Sequence, residues 1–158
     1  MKKLLIALSL CLAMVCLVGC SSSNGGGDAA KYEGSLEDLM TKVYEGIAQE
    51  DTPMMLMNMP LDSENYSMFI GEATFEYEEG LASESGVGSI AHSVVLLRMA
   101  DGADMEAAAE ELKTTVDPRK WICVGVEEVK VETKGNMILV VLNDSIGDTL
   151  VENFKKAF

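Results

Sequence analysis

The sequence predicts an α+β domain: a mainly antiparallel sheet of about four to five strands with three main helices packed against it. Three observations carry this expectation. Apolar residues recur at helical spacing in three long segments. Other segments alternate polar and apolar residues or are apolar throughout, as strands do. Successive strand segments are joined by short turns, which pair neighbours antiparallel, whereas parallel neighbours need a long crossover. There is no solenoid repeat, although the two halves share a loose strand–strand–helix order.

In chain order, Ser35 with Asp38 approximates a capping box. Leu36, Leu39, Met40, Val43, Tyr44 and Ile47 then predict an amphipathic helix over residues 36–49, ended by Asp51-Thr52-Pro53. Residues 54–60 hold four methionines between two prolines and read as irregular and apolar. Residues 62–69 suit a short helix stopped by Gly71. Residues 74–78 read as a half-buried strand with Phe75 and Tyr77 inward, residues 84–88 as a loop, and residues 89–99 as a strand rich in Val and Leu. After the Asp101-Gly102 turn, Met105, Ala108, Ala109, Leu112 and Val116 mark a second long helix. Asp117-Pro118 closes it, because a residue before proline avoids helical angles. Residues 121–126 and 128–133 read as strands, with a hairpin turn at Lys134-Gly135-Asn136. Residues 137–142 are apolar throughout and suit a strand covered on both faces. Ser145 with Asp148 is expected to cap a last helix carrying Ile146, Leu150, Phe154 and Phe158.

The N-terminus reads as an address. Lys2 and Lys3 precede an apolar run over residues 4–18, broken only by Ser9, and Leu17-Val18-Gly19-Cys20 follows. A short basic segment, a short apolar core and small residues before a cut site form a secretory signal. The run is too brief for a comfortable bilayer span, which takes about 20 apolar residues. The four residues ending at Cys20 resemble the bacterial lipobox, and the resemblance implies thiol diacylation and cleavage before Cys20. Two or three acyl chains anchor stably where one is marginal. Residues 1–19 are thus expected to be a lipoprotein signal peptide, residues 20–34 a lipidated cysteine with a flexible Ser/Gly tether, and residues 35–158 a single domain on the extracytoplasmic face of the cell membrane.

Loss of Lys2 and Lys3 takes the 12 cations to 10 against an unchanged 26 acids, so the net charge moves from −14 to −16. Such a surface repels phosphate backbones and excludes nucleic acid as a partner. It attracts cations or basic partners, or serves solubility alone. Cys11 and Cys16 lie in the leader and Cys20 takes lipid, so Cys123 is the one thiol left and no intrachain disulfide forms. Its apolar neighbours predict a buried small hydrophobe.

Motifs for chemistry are sparse. Gly86-Val87-Gly88-Ser89-Ile90-Ala91 fits a dinucleotide-binding spacing but lacks the following helix that would hold a pyrophosphate. His92 is the only histidine and shares a strand face with Val94, Leu96 and Arg98. It could act as a general base beside a cationic anchor, or be a hydrogen-bonded residue at the edge of the core. Met55, Met57 and Met59 sit at alternate positions. Thioethers suit Cu(I), and Met equally fills apolar gaps and pliable contact surfaces. Glu72, Glu76, Glu78 and Glu79 lack the turn spacing of a calcium loop. Arg119-Lys120-Trp121 could hold an anionic ligand with the indole stacking, or Trp121 could be core with both cations offsetting carboxylates.

Residues 89–98, Gly102-Ala103-Asp104, and residues 117–126 with the Asp117-Pro118-Arg119-Lys120-Trp121 stretch resemble the bacterial domain-of-unknown-function family 4358, over roughly residues 35–158. The resemblance implies a lipobox and short tether and supplies no catalytic residues or cofactor. The leading expectation is a lipid-anchored, non-catalytic binding or interaction module, with an envelope protein as a possible partner and no cofactor. The alternatives are a cell-surface enzyme using His92 and Arg98, and a soft-metal handler using the methionines.

Overall fold

The computed structural model describes residues 30–158. Its elements run α1 (Leu36–Val43), β1 (Leu56–Pro60), α2 (Tyr66–Ile70), β2 (Tyr77–Ser85), β3 (Ser93–Met99), α3 (Met105–Thr115), β4 (Lys130–Lys134), β5 (Met137–Leu142) and α4 (Gly147–Lys156). The expected α+β class is what forms: one five-stranded sheet in the order β1-β2-β3-β5-β4, antiparallel at every pairing. Helices cover both faces. On one, Leu81, Val94, Leu96, Leu139 and Val141 pack against α1 and α4. On the other, Ala82, Val95, Leu97, Ile138 and Val140 pack against α2 and α3. Both β3 and β5 therefore lie between two apolar layers, and every residue of β5 is buried. That is why residues 137–142 carry no polar alternation.

Several boundaries differ from the sequence-based expectation. Helix α1 ends at Val43 rather than residue 49. Asn153 of α4 donates to the carbonyls of Val43 and Glu45 at 3.0 and 2.8 Å, satisfying the helix end, and Gly46 turns the chain at φ +75°. The segment expected to be irregular contains β1. Its methionines mask an edge strand, and Pro60 is tolerated at its end because an edge needs no second ladder. Strand β2 begins at Tyr77, with the Thr74 N–H held by Glu111 at 2.6 Å, and it runs on to Ser85, two residues into the expected loop over residues 84–88. Strand β3 begins at Ser93, and Gly86–Ala91 merely connects it to β2 with no helix following. Residues 121–126 form no strand. The Val126 N–H closes the segment onto the Pro118 carbonyl at 2.9 Å, and both sides of β3 and β5 are already paired. Ser145 does not cap α4. The Asn143 Oδ1 accepts the Ser145 N–H and O–H and the Ile146 N–H instead.

Candidate functional site

Where α1 stops, the helical layer on its face stops too, and β1 extends beyond it. An open cleft of about 820 Å³ lies between them, lined by Met40, Thr41, Tyr44, Leu56, Asn58 and Ser83 among others. Tyr44 is the residue on which α1 ends, in a turn closed by Asn153 and Gly46, and its side chain reaches the sheet beside this space.

A hydrogen-bonded chain runs back from the cleft. Tyr44 Oη lies 3.3 Å from Ser83 Oγ and 2.6 Å from His92 Nε2. His92 Nδ1 in turn lies 3.0 Å from Asn143 Nδ2. The Asn143 oxygen already accepts three donors, so its amide nitrogen must be what faces the ring. His92 is thus the neutral tautomer with the proton on Nε2. It donates to Tyr44, which donates to Ser83. Burial, reinforced by the Lys120 charge, lowers the His92 pKa to about 4. Burial is also the main cause that raises the Tyr44 phenol above its usual range.

The other candidates are placed elsewhere. His92 and Arg98 do share the α1/α4 face, but six residues of strand, about 20 Å, separate them. Arg98 donates to the carbonyls of Tyr32 and Gly34 at 2.5 and 2.6 Å and pairs with Glu79 at 3.3 Å, clasping the incoming chain. Lys120 and Trp121 turn inward under the opposite face. Lys120 Nζ meets Glu84 at 2.7 Å and Ser93 Oγ at 3.0 Å, and Trp121 Nε1 donates to the other Glu84 oxygen at 2.8 Å. The ammonium also lies over the Phe69 ring, 4.5 Å from its centroid. Burial lowers the Lys120 pKa against the raising effect of Glu84. Arg119 stays exposed.

Met57 and Met59 pair with Glu84 and Ala82, so both point to the α2/α3 face. Met59 packs into the core there, while Met55, at φ +55° before the strand, and Met57 are largely exposed. Among the described residues, no group of three or more His, Cys, Asp or Glu could hold a metal ion. Cys123 is exposed, contrary to the expectation of burial, because the irregular loop turns Ile122 and Cys123 outward while Trp121 turns in. Cys20 lies outside the described residues.

Sequence reasoning singled out His92 but not Tyr44, Ser83, Asn58 or Asn143. Only the fold brings these positions together, and no local spacing announces them. The chain matches no protein-family model, no curated protein and no solved structure.

Proposed function

We propose that this protein is a lipid-anchored, non-catalytic binding module on the extracytoplasmic face of the cell membrane, taking its ligand in the cleft between α1 and β1. The cleft is the observation that carries the reading: a concave space of about 820 Å³, with apolar walls and a few convergent polar groups, is what a binding site needs. The state of His92 supports binding over catalysis. Both ring nitrogens are committed, the ring is fully buried, and among the described residues no carboxylate hydrogen-bonds to it. The leader of residues 1–19 that precedes Cys20 supports the address. Arg98 and Asn136 hold Tyr32 at the far end of β3, about 13 Å along the strand from the Ser83–Val94 pair beside the cleft. Kinship with family 4358 belongs to the same proposal and carries no activity with it.

Two measurements test this. The wild-type chain should fractionate with membranes and start at a diacylated Cys20 by intact mass, and Cys20→Ala should abolish both. Soluble protein without the adduct in the wild type overturns the address. For the cleft, amide-shift mapping of the isotopically labelled Cys20→Ala chain against a mixture of small aromatic and amide fragments should perturb Thr41, Tyr44, Asn58 and Ser83. Asn58→Trp, which fills the space, should suppress those shifts. Perturbations scattered over the surface, or indifferent to the plug, overturn the cleft.

A further inference from the structure

We propose that the outer edge of β1 takes up an extended, basic polypeptide segment as a sixth strand, with alternate side chains of that segment entering the α1–β1 cleft. This deepens the binding-module reading and rests on it.

The register decides which groups are available. The Gly86 N–H donates to the Met55 carbonyl and the Leu61 N–H to the Gly80 carbonyl, both at 2.9 Å. With Leu56 opposite Ser85 and Pro60 opposite Leu81, the odd-numbered residues of β1 bond to β2. Leu56 and Asn58 therefore aim their main-chain N–H and C=O groups away from the sheet, and no described backbone group meets them. Pro60 has no N–H, and its carbonyl accepts from Asn65 Nδ2 at 3.0 Å, which ends the free edge there. The two residues with open main-chain groups are the same two whose side chains line the cleft. Strand addition uses this combination: main-chain bonds supply affinity, and a pocket for alternate side chains supplies specificity.

The two edges of the sheet are not alike. β4 carries Lys130 and Lys134 and is flanked by α3 and α4. Charged edge residues and covering helices are how sheets block unwanted pairing. β1 reads Leu-Met-Asn-Met-Pro, with no charge along it.

Charge selects the partner. Glu50 and Asp51 precede β1, Asp62 and Glu64 follow it, and Glu45 lies on the cleft wall. Lys42 also lines the cleft, but its ammonium bonds to the Ala157 carbonyl at 3.0 Å and lies over the Tyr32 ring, so its charge is directed toward α4. A second copy of β1 laid antiparallel would bring the same acids face to face, which like-charge repulsion opposes. A segment with Lys or Arg flanking a short apolar stretch complements both ends of the strand.

The test uses the Cys20→Ala chain and two capped decapeptides, one alternating Lys and Val and the other alternating Glu and Val. The Lys/Val peptide should slow amide exchange at Leu56 and Asn58 by about tenfold or more, and the Glu/Val peptide should not. Asn58→Pro removes an outward N–H without touching the β1–β2 ladder, and should weaken Lys/Val binding by about tenfold. Asp51→Asn with Glu64→Gln should weaken it about fivefold and flatten its salt dependence. These two carboxylates make no ion pair among the described residues, so this variant keeps the test valid should the proline variant unfold. Equal binding of the two peptides, equal binding to Asn58→Pro, or no added protection at Leu56 and Asn58 at millimolar peptide overturns the proposal. If the fragment map still converges on the cleft in that case, strand addition falls and the cleft remains.

Discussion

Asn143 faces His92 with its amide nitrogen, 3.0 Å from Nδ1, because its oxygen is committed to the turn that opens α4. One side chain thereby links the end of β5, the start of the last helix and the protonation state of the only histidine. A carboxylate in its place would keep the three acceptor bonds and set a negative charge against Nδ1. Asn143→Asp should therefore raise the His92 titration midpoint from about 4, because an adjacent anion favours the imidazolium. Histidine ring resonances followed against pH report this directly. A midpoint unmoved by the substitution means that Asn143 does not contact the ring.

The same histidine makes stability depend on pH. Its folded pKa, about 4, lies below the 6.5 of an unfolded chain, so the unfolded state binds the proton first. Its contribution is fully present above pH 6.5 and is lost as pH falls from there toward 4, by roughly 3 kcal/mol in all. His92→Gln keeps a donor toward Tyr44 and cannot titrate. Denaturant midpoints measured between pH 7 and pH 4.5 should fall less steeply in this variant than in the wild type. Parallel slopes would place the acid sensitivity in other groups.

Parts of the sheet were legible where burial imposed an apolar pattern, but β2 was expected only as far as residue 78, because its buried stretch, Gly80-Leu81-Ala82-Ser83, is mostly small residues. Residues 137–142 read as a doubly covered strand because both of their faces meet helices, and Ser35 read as a cap because capping is local, with Ser35 Oγ accepting the Asp38 N–H at 3.1 Å. β1 escaped notice because an edge strand can expose methionine and carry proline without penalty. Residues 121–126 misled because Trp121 and Val126 look like strand residues, while their environment comes from a loop folded beneath Glu84. The cleft was illegible for a different reason. Tyr44 and His92 are 48 positions apart and meet only in the fold, at an α1 end whose carbonyls are bonded by Asn153, far along the chain.

Glu84 binds both Lys120 and Trp121, and the side chains of Glu84 and Lys120 are 14% and 9% exposed. Removing one member of a buried pair strands the other charge, so Glu84→Gln should cost about 3 kcal/mol. The double variant Glu84→Gln/Lys120→Met should recover much of that loss, since an apolar replacement of a buried ion pair is often neutral. Trp121 is the only tryptophan, so its emission should shift in Glu84→Gln even where the protein stays folded. Additive losses in the double variant would mean that the pair is not coupled.

Arg98 fastens the segment that leads out of the domain. Tyr32 donates its N–H to Asn136 Oδ1 at 2.8 Å, accepts from Arg98 at its carbonyl, and is 6% exposed, so the peptide bond after Lys31 is held on its C-terminal side. A protease must draw several residues into an extended conformation, which this clasp opposes. Trypsin should therefore spare that bond in the wild type and cut it rapidly in Arg98→Met. Arg98→Lys should not restore protection, because one ammonium cannot reproduce the fork that reaches the Tyr32 and Gly34 carbonyls together. Lys113, within α3, supplies the control: cleavage there should be unchanged if the release is local, and should rise in step with Lys31 if the substitution unfolds the whole domain. Equal cleavage after Lys31 in wild type and variant would show that the guanidinium does not hold the tether end.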